Sequence, residues 1–216
     1  ILGGGSSCTV WSFSLSPSPT PIASSGGDVC LGNDISLTGD NIAMGQSSGN
    51  TYSWTGPNGF TDTLQNPLLY NASTLMAGTY SVTATVGNCV ALSSTINVVV
   101  NALPVTPNAS GNSPICAGNT IQLSTSLANG STYNWTGPNG YISAVQNPSI
   151  VNATIAMSGN YILTITNNNT SCTSLADTVQ IVINPTPLTP TVTNNSPLCV
   201  GATLNLTATS TANATY

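Results

Sequence analysis

The stretch Thr51-Tyr-Ser-Trp-Thr-Gly-Pro-Asn-Gly-Phe60 returns as Thr132-Tyr-Asn-Trp-Thr-Gly-Pro-Asn-Gly-Tyr141, an offset of 81 residues. Gln65-Asn-Pro67 returns at the same offset as Gln146-Asn-Pro148, and Gly78-Thr-Tyr-Ser-Val82 as Gly159-Asn-Tyr-Ile-Leu163. A second anchor, Val29-Cys-Leu-Gly-Asn-Asp-Ile-Ser-Leu37, recurs as Ile115-Cys-Ala-Gly-Asn-Thr-Ile-Gln-Leu123 and again as Leu198-Cys-Val-Gly-Ala-Thr-Leu-Asn-Leu206. Self-similarity of this length at a near-fixed period marks a tandem array of one structural unit. The unit is about 82 residues long.

Inside the unit the apolar period is two. Ile35 and Leu37, Tyr52 and Trp54, Tyr80 to Val86 and Ile96 to Val100 alternate apolar with polar, as half-buried strands do. Gly-Pro-Asn-Gly (56–59 and 137–140) is turn chemistry, with Pro fixing φ and Gly supplying positive φ. Gly87-Asn88 separates two alternating runs and reads as a hairpin; residues 72–77 are the one weak helical stretch. Some seven short strands per unit is the count of an immunoglobulin-like sandwich. The expected fold class is all-β: tandem immunoglobulin-like β-sandwich domains, with Trp54 and Trp135 on the third strand as core residues rather than sugar-stacking platforms. Proline-spaced linkers at 16–21, 103–107 and 184–190 favour extended, semi-rigid connections, so the domains are expected to form a rod.

The repeat phase sets four segments: 1–16 as the C-terminal tail of a preceding repeat, 17–103 and 104–185 as whole repeats, and 186–216 as the start of a further, truncated one. Tyr216 follows Cys199 at the spacing at which Tyr133 follows Cys116, so the third repeat is expected to stop just short of its Trp. Ile1-Leu-Gly-Gly-Gly5 has neither the basic start nor the apolar run of a signal peptide, and we expect the natural protein to extend upstream.

Composition excludes whole classes of function. The 216 residues contain no Lys, Arg or His, and the five acidic residues are all Asp, so charged residues make up 2% against about 25% in an average chain. Imidazole general bases, Schiff-base amines and phosphate-clamping guanidiniums are unavailable. Nucleic-acid binding through counterion release needs cations that the chain lacks. Apolar runs fall far short of the ~20 residues of a bilayer-spanning helix. No enzyme activity, cofactor, nucleic-acid partner or membrane insertion is expected of this segment.

Six cysteines in a chain rich in Ser, Thr and Asn point to an oxidising compartment, with buried free thiols as the alternative. Metal binding is a poor fit, since there is no Cys-x₂-Cys spacing and no His. Asp34 and Asp40 could contribute to a calcium site, but Thr120 stands where Asp34 does, and solvated loop carboxylates explain them better. Two disulfide schemes stay open. Sequence order suggests pairing within each repeat, Cys30 with Cys89 and Cys116 with Cys172. Strand alternation places those partners at opposite ends of a sandwich, farther apart than the ~7 Å a disulfide allows. The scheme favoured by reach is therefore Cys30 with Cys172 across the repeats, with Cys8 and Cys199 paired outside the fragment.

The pattern Pro-x-Cys-x-Gly, then Tyr-x-Trp-x-Gly-Pro-x-Gly, then Gly-x-Tyr and a further Cys, resembles the Ig-like repeats of very large Bacteroidetes cell-surface proteins, the gliding-motility adhesins of the SprB type among them. The likeness covers nearly the whole chain, though Asp28 replaces the Pro in the first repeat and the lack of charge is extreme. It implies type 9 secretion, attachment at the outer surface, and filaments that touch the substratum. It also implies O-glycosylation at Asp-(Ser/Thr)-apolar, matched at Thr63 and Thr178. The leading expectation is a non-catalytic fibre or stalk segment of a repetitive cell-surface adhesin, its partners being neighbouring repeats and surface polysaccharide or substratum. The alternatives are a glycan-binding module using loops such as 56–60, and spacer repeats in a secreted hydrolase.

Overall fold

A computed structural model describes residues 21–41, 50–86, 89–90 and 93–209. The preceding-repeat segment 1–16, with Cys8, and the turn at Gly87-Asn88 lie outside the described residues. The chain divides into two compact units, 1–103 and 104–216.

The first unit contains β1 (Pro21–Ser25), β2 (Val29–Cys30), β3 (Ile35–Asn41), β4 (Asn50–Thr55), β5 (Thr61–Asp62), β6 (Leu68–Leu69), β7 (Gly78–Val86), β8 (Cys89–Val90), β9 (Ser94–Val98) and β10 (Val100–Asn101). One sheet runs β1-β3-β6; the other runs β5-β4-β7, and both β8 and β9 pair with β7. The short β2 pairs in parallel with β10, Cys30 facing Asn101, so the first strand crosses from one sheet to the other. This two-sheet order with antiparallel hairpins is an immunoglobulin-like sandwich.

The second unit repeats the plan with β11 (Ser110–Gly111), β12 (Ile115–Cys116), β13 (Ile121–Ser124), β14 (Ser131–Gly137), β15 (Tyr141–Ser143), β16 (Ser149–Ile150), β17 (Gly159–Asn167), β18 (Asp177–Ile181) and β19 (Ile183–Asn184). Its sheets are β11-β13-β16 and β15-β14-β17-β18, and β12 pairs in parallel with β19. A further hairpin, β20 (Val192–Asn194) with β21 (Leu206–Ala208), follows. Among the described residues, helix is limited to single 3₁₀ turns at Pro57–Gly59, Thr74–Met76, Pro138–Gly140 and Ile155–Met157. The weak helical stretch at 72–77 is thus one such turn, too short for the 3.6-residue period to build a buried face.

Each unit has its own core. In the first, Ile35, Leu37, Trp54, Tyr80, Val82 and Val98 are buried between the sheets. In the second, Ile121, Leu123, Trp135, Tyr161, Leu163 and Ile181 hold the matching places. Period-two alternation puts every second residue of β3, β4, β7 and their counterparts inward. The polar residues between them face water.

Candidate functional site

The Gly-Pro-Asn-Gly turn is fastened to the start of the long strand by close packing. A Cβ on Gly56 would lie 2.4 Å from Tyr80 Cδ1, and one on Gly137 2.5 Å from Tyr161 Cδ1. These two glycines are extended, with φ −166° and −164°, so closeness of the ring demands them rather than a left-handed backbone. Positive φ belongs instead to Asn58 and Gly59, and to Asn139 and Gly140. A Cβ on Gly78 or Gly159 would meet the Cγ of Pro57 or Pro138 at 2.9 Å. Phe60 stacks edge-on against Tyr80 with centroids 5.4 Å apart, and Tyr141 against Tyr161 at 5.6 Å. Each buried tyrosine donates its hydroxyl to a carbonyl four residues upstream, Tyr80 to Met76 at 2.8 Å and Tyr161 to Met157 at 3.1 Å. That is the tyrosine corner of immunoglobulin-like domains. Burial raises the pKa of both phenols, and for Tyr161 the neighbouring Tyr141 adds to the rise. The loop 56–60 is therefore fastened to the core through Gly56 and Phe60, with Asn58 and Gly59 exposed at its tip.

Trp54 and Trp135 are fully buried. Their indoles donate to the carbonyls of Leu64 at 3.0 Å and Gln146 at 3.2 Å, so neither ring offers a face to a ligand. Among the described residues no three His, Cys, Asp or Glu side chains lie together, and no helix is long and apolar enough to cross a membrane. Asp34 accepts from the Asn71 N–H at 3.1 Å, Asp62 from Leu64 at 2.7 Å, and Asp177 from Ala109 at 2.7 Å. These carboxylates pin loops. Thr63 and Thr178 are both exposed, the first in the loop after β5 and the second on the outward side of β18.

The cysteines occupy two poles. Cys30 and Cys116 sit on the short parallel strands, opposite Asn101 and Asn184. That is the end where β7 and β17 begin, since Gly78 faces Val98 and Gly159 faces Ile181. Cys89 pairs with Val86 at the far end of β7, and the Cys172 carbonyl accepts from Asn167 at the far end of β17. Eight residue steps of ~3.3 Å separate the poles by roughly 26 Å, against the ~7 Å a disulfide tolerates. Within a repeat, Cys30 and Cys89, and likewise Cys116 and Cys172, thus lie on strands at opposite ends of the sandwich. Cys30 and Cys172 are each disulfide-bonded, whereas Cys116 and Cys199 carry exposed free thiols. The side chain of Cys89 lies outside the described residues.

No protein-family model and no curated protein sequence matches the chain. Solved structures of similar fold include murine CEACAM1b, 13% identical with a TM-score of 0.39, covering 76% of this chain and 100% of that one. The three N-terminal domains of the bacteriophage RB49 highly immunogenic outer capsid protein are 16% identical with a TM-score of 0.42, covering 89% and 69%. A marsupial T cell receptor is 14% identical with a TM-score of 0.42, covering 82% and 77%. The assignment of an immunoglobulin-like sandwich rests on strand order, core and tyrosine corner.

Proposed function

We propose that this chain is a non-catalytic fibre segment of a large, repetitive cell-surface adhesin, in which each sandwich adds length and stiffness. The observation that carries the proposal is the repetition of one sandwich, free of Lys, Arg and His, with the same Trp, Tyr and Gly-Pro-Asn-Gly fastening. Those residues are taken up in packing the core and its turn. The segment 186–216, which carries the third Cys-x-Gly anchor, is assigned to a further repeat. Surface adhesion and gliding, type 9 secretion and attachment at the outer membrane belong to the same proposal, as do surface polysaccharide or substratum as partner and O-glycosylation at Thr63 and Thr178.

Cys30 and Cys172 are proposed to be joined to each other, which makes the linkage between successive repeats covalent. Their bonded state, the free thiols of Cys116 and Cys199, and the ~26 Å between poles support this pairing. Digestion with chymotrypsin under non-reducing conditions tests it: a peptide pair linking Cys30 to Cys172 is expected, and one linking Cys30 to Cys89 overturns it. The function is tested on living cells with Fab fragments raised against this chain. Decoration of surface filaments and loss of attachment are expected. Labelling confined to a secreted hydrolase in the medium would transfer the chain to the role of spacer.

A further inference from the structure

We propose that the outward face of the three-stranded sheet in the second sandwich is a binding groove for a neutral oligosaccharide. Along β13, Ile121 and Leu123 point into the core, so Gln122 and Ser124 point out. Register then places Ser110 beside Ser124 and Ser149 beside Gln122. With Asn112 and Asn147 these side chains line a groove of about 490 Å³, within the usual range for small-ligand sites. Three hydroxyls and three carboxamides converge there, and no lining residue is ionisable.

Part of this lining is already held in place. Asn112 donates to the Thr120 carbonyl at 3.0 Å and accepts from the Gln122 N–H at 2.8 Å. Asn147 accepts from the Thr125 N–H at 2.9 Å through Oδ1. The Ser110 hydroxyl lies 3.1 Å from the Ser124 carbonyl and 2.8 Å from the Ser124 hydroxyl. Gln122 and Ser149 are exposed and make no side-chain hydrogen bond among the described residues. A groove that is fixed at its margins and open at its centre loses little side-chain freedom on binding.

The donor set selects the ligand class. A sugar hydroxyl both donates and accepts, and so do a carboxamide and a serine hydroxyl, so adjacent hydroxyls of a neutral sugar can be matched without stranding a buried polar group. Phosphate, sulfate and uronate would enter with no cation to meet them, since the chain has none. Purely apolar ligands would leave the amides unpaired.

The first sandwich serves as an internal control. Its register places Ser24, Ser36, Thr38 and Leu68 where the second has Ser110, Gln122, Ser124 and Ser149. Gly26 stands in for Asn112, so two carboxamides are lost and an exposed leucine enters. The same fold therefore presents a different set of side chains on this face in each unit. The inference is independent of the fibre role, which holds whether or not the groove is filled.

The test is amide NMR on the 216-residue chain with disulfides intact, titrated separately with cellotetraose, laminaritetraose, maltotetraose and chitotetraose. Saturable shifts of the Gln122, Ser124 and Ser149 amides are expected with at least one of them, and none at Ser36 or Leu68. Gln122→Ser combined with Ser149→Leu installs residues that the first sandwich carries at these positions. That pair should weaken binding about fivefold or more, the worth of one neutral hydrogen bond, while the spectrum stays dispersed. Four results would overturn the proposal: no saturable shift with any of the four sugars, shifts centred on another surface, undiminished binding by the double variant, or tighter binding of a galacturonate tetramer.

Discussion

Replacing Gly137 by alanine isolates a single steric contact, because its φ of −164° suits any residue and carries no conformational penalty of its own. The new methyl would sit 2.5 Å from Tyr161 Cδ1 and 2.6 Å from Cε1, where ordinary contacts begin near 3.4 Å. The ring must therefore retreat by close to an ångström. Any retreat disturbs its present contacts, since it is fully buried, stacked on Tyr141 at 5.6 Å and tied to the Met157 carbonyl. Overpacking of this kind costs about 1–3 kcal/mol, and losing the tyrosine hydrogen bond adds about 1 kcal/mol. The total of roughly 2–4 kcal/mol corresponds to a fall in Tm of about 10–20 °C for a domain of this size. Gly140→Ala is the paired control. Its Cβ would meet nothing within 4 Å, but φ is +73°, so only the left-handed backbone penalty of ~1 kcal/mol applies. Urea unfolding of both variants, followed by tryptophan fluorescence, ranks the two. A Gly137→Ala variant no less stable than Gly140→Ala would refute the claim that the turn is fastened through the tyrosine ring.

Tyr80 and Tyr161 ionise above the ordinary tyrosine value of 10.0 because burial disfavours phenolate. The unfolded chain thus loses these protons first as pH rises past about 10, and stability should fall through that window; Tyr→Phe at both positions should flatten the dependence of the urea midpoint on pH. Asp177→Ala strands the Ala109 N–H, now held at 2.7 Å, and should cost about 1–2 kcal/mol in urea unfolding. Thr125→Val replaces a buried hydroxyl that has no partner among the described residues, and a gain of about 1 kcal/mol is expected by the same measurement. Trypsin should leave the chain uncut even when it is reduced and unfolded in urea, because it contains no Lys or Arg, as gel electrophoresis would verify.

The repeat and its period-two alternation made the sandwich legible, since a strand buried on one face must alternate. The same rule reaches Trp54, because Tyr52 and Trp54 share a side and the core is the only apolar place for both. What could not be read was which glycine serves which purpose. Gly-Pro-Asn-Gly looks like a turn needing positive φ, and Gly59 does meet that need, yet Gly56 is extended and answers to a ring 24 positions away in sequence. Such a contact leaves no local trace. The tyrosine corner did leave one, in the Gly-x-Tyr that follows Met76 by four residues, but alternation alone classes Tyr80 with any inward aromatic. The parallel pairing of β2 with β10 was equally hidden, because two residues carry no period. The polar groove escaped for a further reason: each of its side chains lies where a solvent-facing residue is expected, and only the register brings them together.

The two sandwiches are one framework with two surfaces. Gly56, Pro57, Gly78, Tyr80 and Trp54 each have an identical counterpart in the second unit, and all of them pack inward or against one another. The substitutions that alter chemistry fall elsewhere: Ser36 against Gln122, Leu68 against Ser149, Gly39 against Thr125. The last of these reaches the core edge. A Cβ on Gly39 would lie 3.3 Å from the Trp54 ring and 3.0 Å from the Gln65 carbonyl, and where Thr125 supplies that Cβ the indole donates to Gln146 rather than to the residue before it. A one-residue shift of a single hydrogen bond absorbs the change while both strands keep their pairing. A framework fastened by rings and glycines, with no ion pairs to disturb, leaves its outward faces free to differ. That separation lets the outward surface of one unit differ from that of the next without disturbing the fold.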